Sequence, residues 1–93
     1  MEFEWDPAKA KANVRKHGVT FVEATTIFDD PASRLRWDKA HESPIEVRGM
    51  AIGFSKRNRL LAVIFTERNE TIRIISAWKA SAAEKATYAE AFR

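Results

Sequence analysis

Polar and aromatic residues alternate in Glu2-Phe3-Glu4-Trp5, the pattern of a short half-buried strand. Asp6-Pro7 then predicts a helix start. An Asp side chain accepts from free backbone N–H groups, and proline at the first helical position lacks only a donor that had no partner. The helix is predicted from Pro7 to about His17, ending at Gly18, the residue best able to turn left-handed beyond a helix end. Ala10 and Val14 share one face with Ala8 and His17 nearby, while Lys9, Arg15 and Lys16 lean toward the others, so the helix is weakly amphipathic. Thr20-Phe21-Val22-Glu23 reads as a capping box, a hydroxyl and a carboxylate that reciprocally satisfy two orphan donors. Apolar Ala24, Ile27 and Phe28 follow, predicting a second short helix that ends near Asp29-Asp30-Pro31.

The middle of the chain reads as strands. Ser33 to Trp37 is predicted to face Leu35 and Trp37 inward and its arginines outward. Ile45 to Ser55 carries Met50, Ile52 and Phe54 on one side, and Lys56-Arg57-Asn58 forms a polar hairpin turn. Leu60 to Thr66 is so apolar that it belongs at the centre of a sheet with both faces covered. After a turn at Glu67-Arg68-Asn69-Glu70, Thr71 to Trp78 runs back as the last strand. Ser81-Ala82-Ala83-Glu84 is a second capping box, opening a helix in which Ala82, Ala86, Ala89 and Phe92 recur at helical spacing. The order β-α-α-β-β-β-β-α clusters like elements. It predicts an α+β fold, a twisted antiparallel β-sheet with two N-terminal helices and one C-terminal helix packed on it.

Composition narrows the class. Ninety-three residues leave room for a single domain, residues 1–93. With 45% apolar and 31% charged residues the chain is neither disordered nor low-complexity. Its longest apolar run, Leu60 to Phe65, is far short of the ~20 residues that cross a bilayer. The opening residues are not those of a secretory signal. No cysteine is present, which excludes disulfides, zinc ribbons and thiol nucleophiles, and a reducing cytoplasm is the expected setting. Sixteen Lys and Arg against thirteen Asp and Glu give +3, which permits an anionic partner without demanding one. Lys9, Lys11, Arg15 and Lys16 lie close together, and a solvated helix face is the plain reading of such a run.

Candidate chemistry is sparse. The histidines are His17 and His41, and Asp38-x-x-His41-Glu42 lies in a predicted loop where exposed polar residues are ordinary, so no metal and no cofactor is assigned. Gly-rich phosphate loops and the Gly-x-Ser-x-Gly elbow are missing, which removes nucleotide hydrolysis and serine hydrolase chemistry. Cations and acid–base groups remain. Glu46 and Arg48 are two apart in a strand and so share a face, and Arg73 and Lys79 share a parity. Such a surface suits phosphate chemistry; if RNA is the substrate, cleavage without metal needs a base for the ribose 2′-OH, cations for the phosphorane and an acid for the leaving oxygen. His17, Glu46, Tyr88 and the arginines and lysines are the available groups. Each has a structural alternative: His17 at the negative end of a helix dipole, Glu46 and Arg48 as surface charge, Tyr88 as helix packing.

Together the motifs form an ordered series: Phe3-Glu4-Trp5-Asp6, Asn13, Lys16-His17-Gly18, Phe21-x-Glu23-Ala24, Phe28-x-Asp30-Pro31, Glu46-x-Arg48-x-x-x-Ile52-Gly53, and Arg73-Ile74-Ile75-Ser76-Ala77 with Ala80, Glu84 and Tyr88. Over nearly its whole length the chain resembles the BrnT family of type II toxins, small bacterial endoribonucleases with a RelE-like fold. The resemblance implies metal-independent RNA cleavage that inhibits translation. It also implies neutralisation by a BrnA antitoxin whose ribbon-helix-helix domain contacts the operator, so that DNA is reached only through the antitoxin. It makes His17 the general base or acid, Arg48, Arg73 and Lys79 the phosphate and transition-state contacts, and Glu46 the group that orients Arg48 or replaces the base. Tyr88 joins that catalytic set, and Lys9, Arg15, Lys16 and Arg68 become RNA contacts. Trp78 stands where the family pattern usually has arginine; a ring can stack on a base but cannot neutralise charge, which implies attenuated activity. The alternative is a non-catalytic toxin-fold module that binds its antitoxin in promoter autoregulation.

Overall fold

The computed structural model describes residues 1–38 and 46–92. Strand β1 (Glu2–Glu4) leads into helix α1 (Pro7–His17), where the Asp6 carboxylate accepts from the Ala8 N–H at 3.3 Å and Pro7 occupies the first turn. Gly18, at φ +69°, closes α1 by donating its N–H to the Val14 carbonyl. Helix α2 (Phe21–Thr25) starts under the Thr20 hydroxyl, which accepts from the Glu23 N–H, and a 3₁₀ turn continues it over Thr26–Asp29. The capping box expected here is only half made. The Glu23 side chain turns into the protein and takes the Arg59 guanidinium and the Ser55 hydroxyl instead. In helix α3 (Ala82–Ala89) the box is complete between Ser81 and Glu84, and a 3₁₀ turn at Glu90–Phe92 follows.

Strands β2 (Arg34–Asp38), β3 (Val47–Phe54), β4 (Leu60–Arg68) and β5 (Thr71–Lys79) form an antiparallel meander in a five-stranded sheet of order β1-β5-β4-β3-β2. β1 is the exception to the all-antiparallel expectation. It lies parallel to β5, reached by the crossover through α1, α2 and the strands that follow. β4 is central, as its apolar run predicts, but it is covered on both faces only around Leu61–Val63; Ile64 and Thr66 are half-buried on the face opposite α1 and α2.

Helices cover the two sheet faces unequally. On one face α1 and α2, with Val19 and Ile27, bury Ala51, Leu61, Val63, Phe65, Ile72, Ile74 and Ala77. On the other, α3 covers only one end, setting Tyr88 on Ile52 and Ala62 with Met50, Leu60 and Trp78 partly buried. Leu35 and Trp37 were expected inside; their register with Ala51 and Gly49 does put them on the helical face, yet they remain 48% and 44% exposed. β2 is the sheet edge, and α1 and α2 sit over β5 at the other side.

One local irregularity has long reach. Ile64 pairs with Ser76, but Phe65 pairs with Ile74, so Ile75 is an extra residue in a β-bulge. Asn13 of α1 holds it. Its amide donates to the carbonyls of Val19 and Ala77 at 2.9 and 2.8 Å, while its oxygen accepts from the Ala77 N–H and the Ser76 hydroxyl.

Candidate nucleic-acid interface

Among the described residues, α3 leaves part of one sheet face uncovered, and strand register decides which side chains stand on it. Arg48 of β3 pairs with Thr66 of β4, Thr66 with Arg73 of β5, and Arg73 with Glu4 of β1, giving one row across four strands. At ~4.8 Å per strand, Arg48 and Arg73 are about 10 Å apart at the backbone. The next row toward α3 is Arg36, Met50 and Ile64, and the row beyond is Arg34, Ile52, Ala62 and Trp78, where the helix begins to cover the sheet. Arg68 extends the open face two residues past Thr66. A cleft of about 320 Å³ opens here, lined by Arg36, Arg48, Met50 and Ile64 with Trp37 and Gly49. Cations flank an apolar floor, a combination that suits a phosphate–sugar chain carrying flat bases. Glu4 approaches Arg73 at 3.7 Å and partly balances it.

The remaining predicted residues divide among other places. Lys9, Lys16 and His17 line a second groove of about 200 Å³ between α1 and β5, with Ala12, Asn13, Ile75 and Ser76. Arg15 is exposed on α1 and does not line that groove. The His17 ring lies 6.1 Å from the Trp78 ring. Along β5, Trp78 and Arg73 are about 16 Å apart at ~3.3 Å per residue, so His17 is not in the arginine row. Glu46 is exposed and immediately precedes β3.

Lys79 corrects the parity expectation. The extra residue at Ile75 flips the side-chain alternation, so Arg73 opposes Thr66 on the open face while Lys79 opposes Leu61 on the helical one. Trp78 fills the edge of the α3 interface, its indole N–H donating to Glu84 at 3.0 Å.

The Tyr88 hydroxyl is buried and donates to Asp30 at 2.7 Å. Burial, reinforced by the neighbouring carboxylate, pushes its pKa up to about 12. Asp30 also accepts from the Ala32 and Phe54 N–H groups. Burial would raise its pKa, but these bonds and the Tyr88 hydroxyl together hold it below the usual carboxylate value. Glu23 is likewise held low, first by the Arg59 hydrogen bonds against the opposing effect of burial, then by Ser55 and Arg57. These groups fasten α2 and α3 to the sheet.

Sequence reasoning missed Arg36, Met50 and Ile64 as site residues, because only strand order brings β2 and β4 beside Arg48. The signal available was the alternation of Arg34 and Arg36 with Leu35 and Trp37. His41 and Glu42, considered for a metal, lie outside the described residues. Among the described residues no group of three or more His, Asp or Glu could hold a metal ion, and no helix is long and apolar enough to cross a membrane.

Comparison with known proteins agrees with this architecture. The family model described as "Ribonuclease toxin, BrnT, of type II toxin-antitoxin system" matches residues 5–84. The crystal structure of the Brucella abortus ribonuclease toxin BrnT is similar, with a TM-score of 0.67 and 30% identity over 87% of this chain and 97% of that one. No match is found among curated proteins.

Proposed function

The chain belongs to the BrnT family of ribonuclease toxins of type II toxin–antitoxin systems, and from that premise we propose that it cleaves RNA without a metal and so arrests translation in the cytoplasm. Its activity is held in check by a BrnA-like ribbon-helix-helix antitoxin, through which alone it reaches operator DNA. The observation that carries this reading is the Arg48–Thr66–Arg73 row beside a cleft with an apolar floor. Two arginines whose backbones are about 10 Å apart on one face can hold successive phosphates and stabilise the charge that develops on the one under attack. Glu46, two residues before Arg48, removes the 2′-OH proton; the 2′-oxygen bonds to phosphorus as the bond to the 5′-oxygen breaks, and water returns a proton to that leaving oxygen. His17, with Lys9 and Lys16 along the α1–β5 groove, holds the strand further on, where Trp78 offers a ring for stacking.

Total RNA incubated with the purified protein in chelator tests this. Cleavage should fall about 100-fold or more in Glu46→Gln and Arg48→Ala, with a smaller loss in His17→Ala. Cleavage indifferent to all three removes the site. A second reading, a toxin fold that binds its antitoxin without turnover, is favoured by the commitment of Trp78 to Glu84 and the α3 interface. Absence of cleavage under every condition would establish it.

A further inference from the structure

Among the described residues, the two outer strands of the sheet carry opposite charge. On the β1 side, Glu2 and Glu4 stand on the open face, level with Thr71 and Arg73. On the β2 side, Arg34 and Arg36 stand on that same face, level with Ile52 and Met50, while Leu35 and Trp37 stand on the other, about half exposed. An edge strand presents a row of backbone donors and acceptors to any segment that can lie along it. Period-two alternation then dictates what that segment must carry. Positions facing the arginines must be acidic, and positions beside Leu35 and Trp37 must be apolar.

A second copy of this chain paired antiparallel through β2 would set Arg34 and Arg36 against their own counterparts, and like charges directly opposite destabilise a sheet. An acidic segment is equally disfavoured at the β1 edge by Glu2 and Glu4. We propose, resting on the toxin reading above, that β2 is where the antitoxin docks, by adding an extended segment of alternating acidic and apolar residues as a sixth strand. Arg36 lines the cleft together with Arg48. Carboxylates drawn to Arg34 and Arg36 therefore cover the rim of the RNA site and repel phosphate from it. Neutralisation and complex formation follow from one contact, with no change in the shape of the site.

The test is amide hydrogen exchange on the toxin alone and on its complex with the antitoxin encoded beside it, produced by co-expression. Exchange at those of Leu35, Arg36 and Trp37 whose N–H points away from β3 should slow about tenfold or more in the complex. Charge reversal by Arg34→Glu with Arg36→Glu should weaken the complex about tenfold or more and flatten its salt dependence. Leu35→Lys, at a half-exposed position, should weaken it without altering the thermal midpoint of the free toxin. The proposal is overturned if protection appears only elsewhere, for instance over the Trp5, Val14 and Val22 groove between α1 and α2. It is also overturned if both variants bind as tightly as the parent, or if β2 is already protected in concentration-dependent oligomers of toxin alone. RNA cleavage by the free toxin is scored separately, so a complex that forms without β2 protection defeats this inference and leaves the ribonuclease reading intact.

Discussion

Replacing Asn13 with alanine removes the clasp on the β5 bulge. The side chain makes four hydrogen bonds, to the Val19 and Ala77 carbonyls and from the Ala77 N–H and Ser76 hydroxyl, at 2.8 to 3.2 Å. Val19 and Ala77 are fully buried, so water cannot replace these bonds without opening the core. An orphaned buried donor or acceptor costs ~1–3 kcal/mol, carbonyls at the low end, which gives about 3–5 kcal/mol for the set. A domain of this size has a total of ~5–14 kcal/mol, so the variant should unfold at a urea midpoint lower by about 2–3 M. Asn13→Asp sharpens the test. It keeps the acceptor but sets a carboxylate against two carbonyl oxygens, so its native pKa lies above the unfolded value. Its penalty is therefore largest near neutrality and shrinks as acid protonates the group. Urea unfolding followed by tryptophan fluorescence measures both. A loss below about 1 kcal/mol in the alanine variant, or an aspartate penalty that does not shrink in acid, would refute the account.

Glu23 titrates below its ordinary value of 4.5, so its pairing stabilises the fold above that pH and the contribution is lost as pH falls through the lower native value. Glu23→Gln should cost about 3 kcal/mol at neutrality and flatten acid unfolding below about pH 4; identical acid profiles would contradict this. Tyr88 is the single tyrosine, so ultraviolet titration reads it alone. Its phenol should resist ionisation until about pH 12, with the stability it contributes present below the unfolded value of 10 and lost as pH rises through the native one. Tyr88→Phe should cost ~1.5–3 kcal/mol and leave RNA cleavage unchanged, because the hydroxyl is committed to Asp30; lost turnover in a folded variant would place it in the chemistry. Trp78→Arg adds a cation beside His17 and should tighten RNA binding by about tenfold and bring growth arrest on expression, and unchanged binding and toxicity would show that the ring attenuates nothing.

Helix boundaries were legible because their causes are local. Asp6 with Pro7, Gly18, and Ser81 with Glu84 act within a turn of where they stand in the chain. Strand identity and the central place of β4 followed from residue alternation and the long apolar run, and the ordered motif series pointed to the family that the comparisons then established. Everything that depends on which strands become neighbours lay beyond that reach. Arg36 joins Arg48 only because β2 pairs with β3, and Leu35 and Trp37 stay half exposed only because β2 ends the sheet far from α1. Glu23 fits a capping box by spacing, but a guanidinium brought from 36 residues away outcompetes a backbone N–H for its carboxylate. Counting by twos put Arg73 and Lys79 on one face, and a single unpaired residue, Ile75, next to Ser76 and Ala77 that an asparagine on another element clasps, put them on opposite ones. Period and capping are properties of neighbouring residues, so the chain alone determines them. Register, sheet edges and the meeting of charges depend on long-range pairing, which folding settles by total burial and satisfied hydrogen bonds.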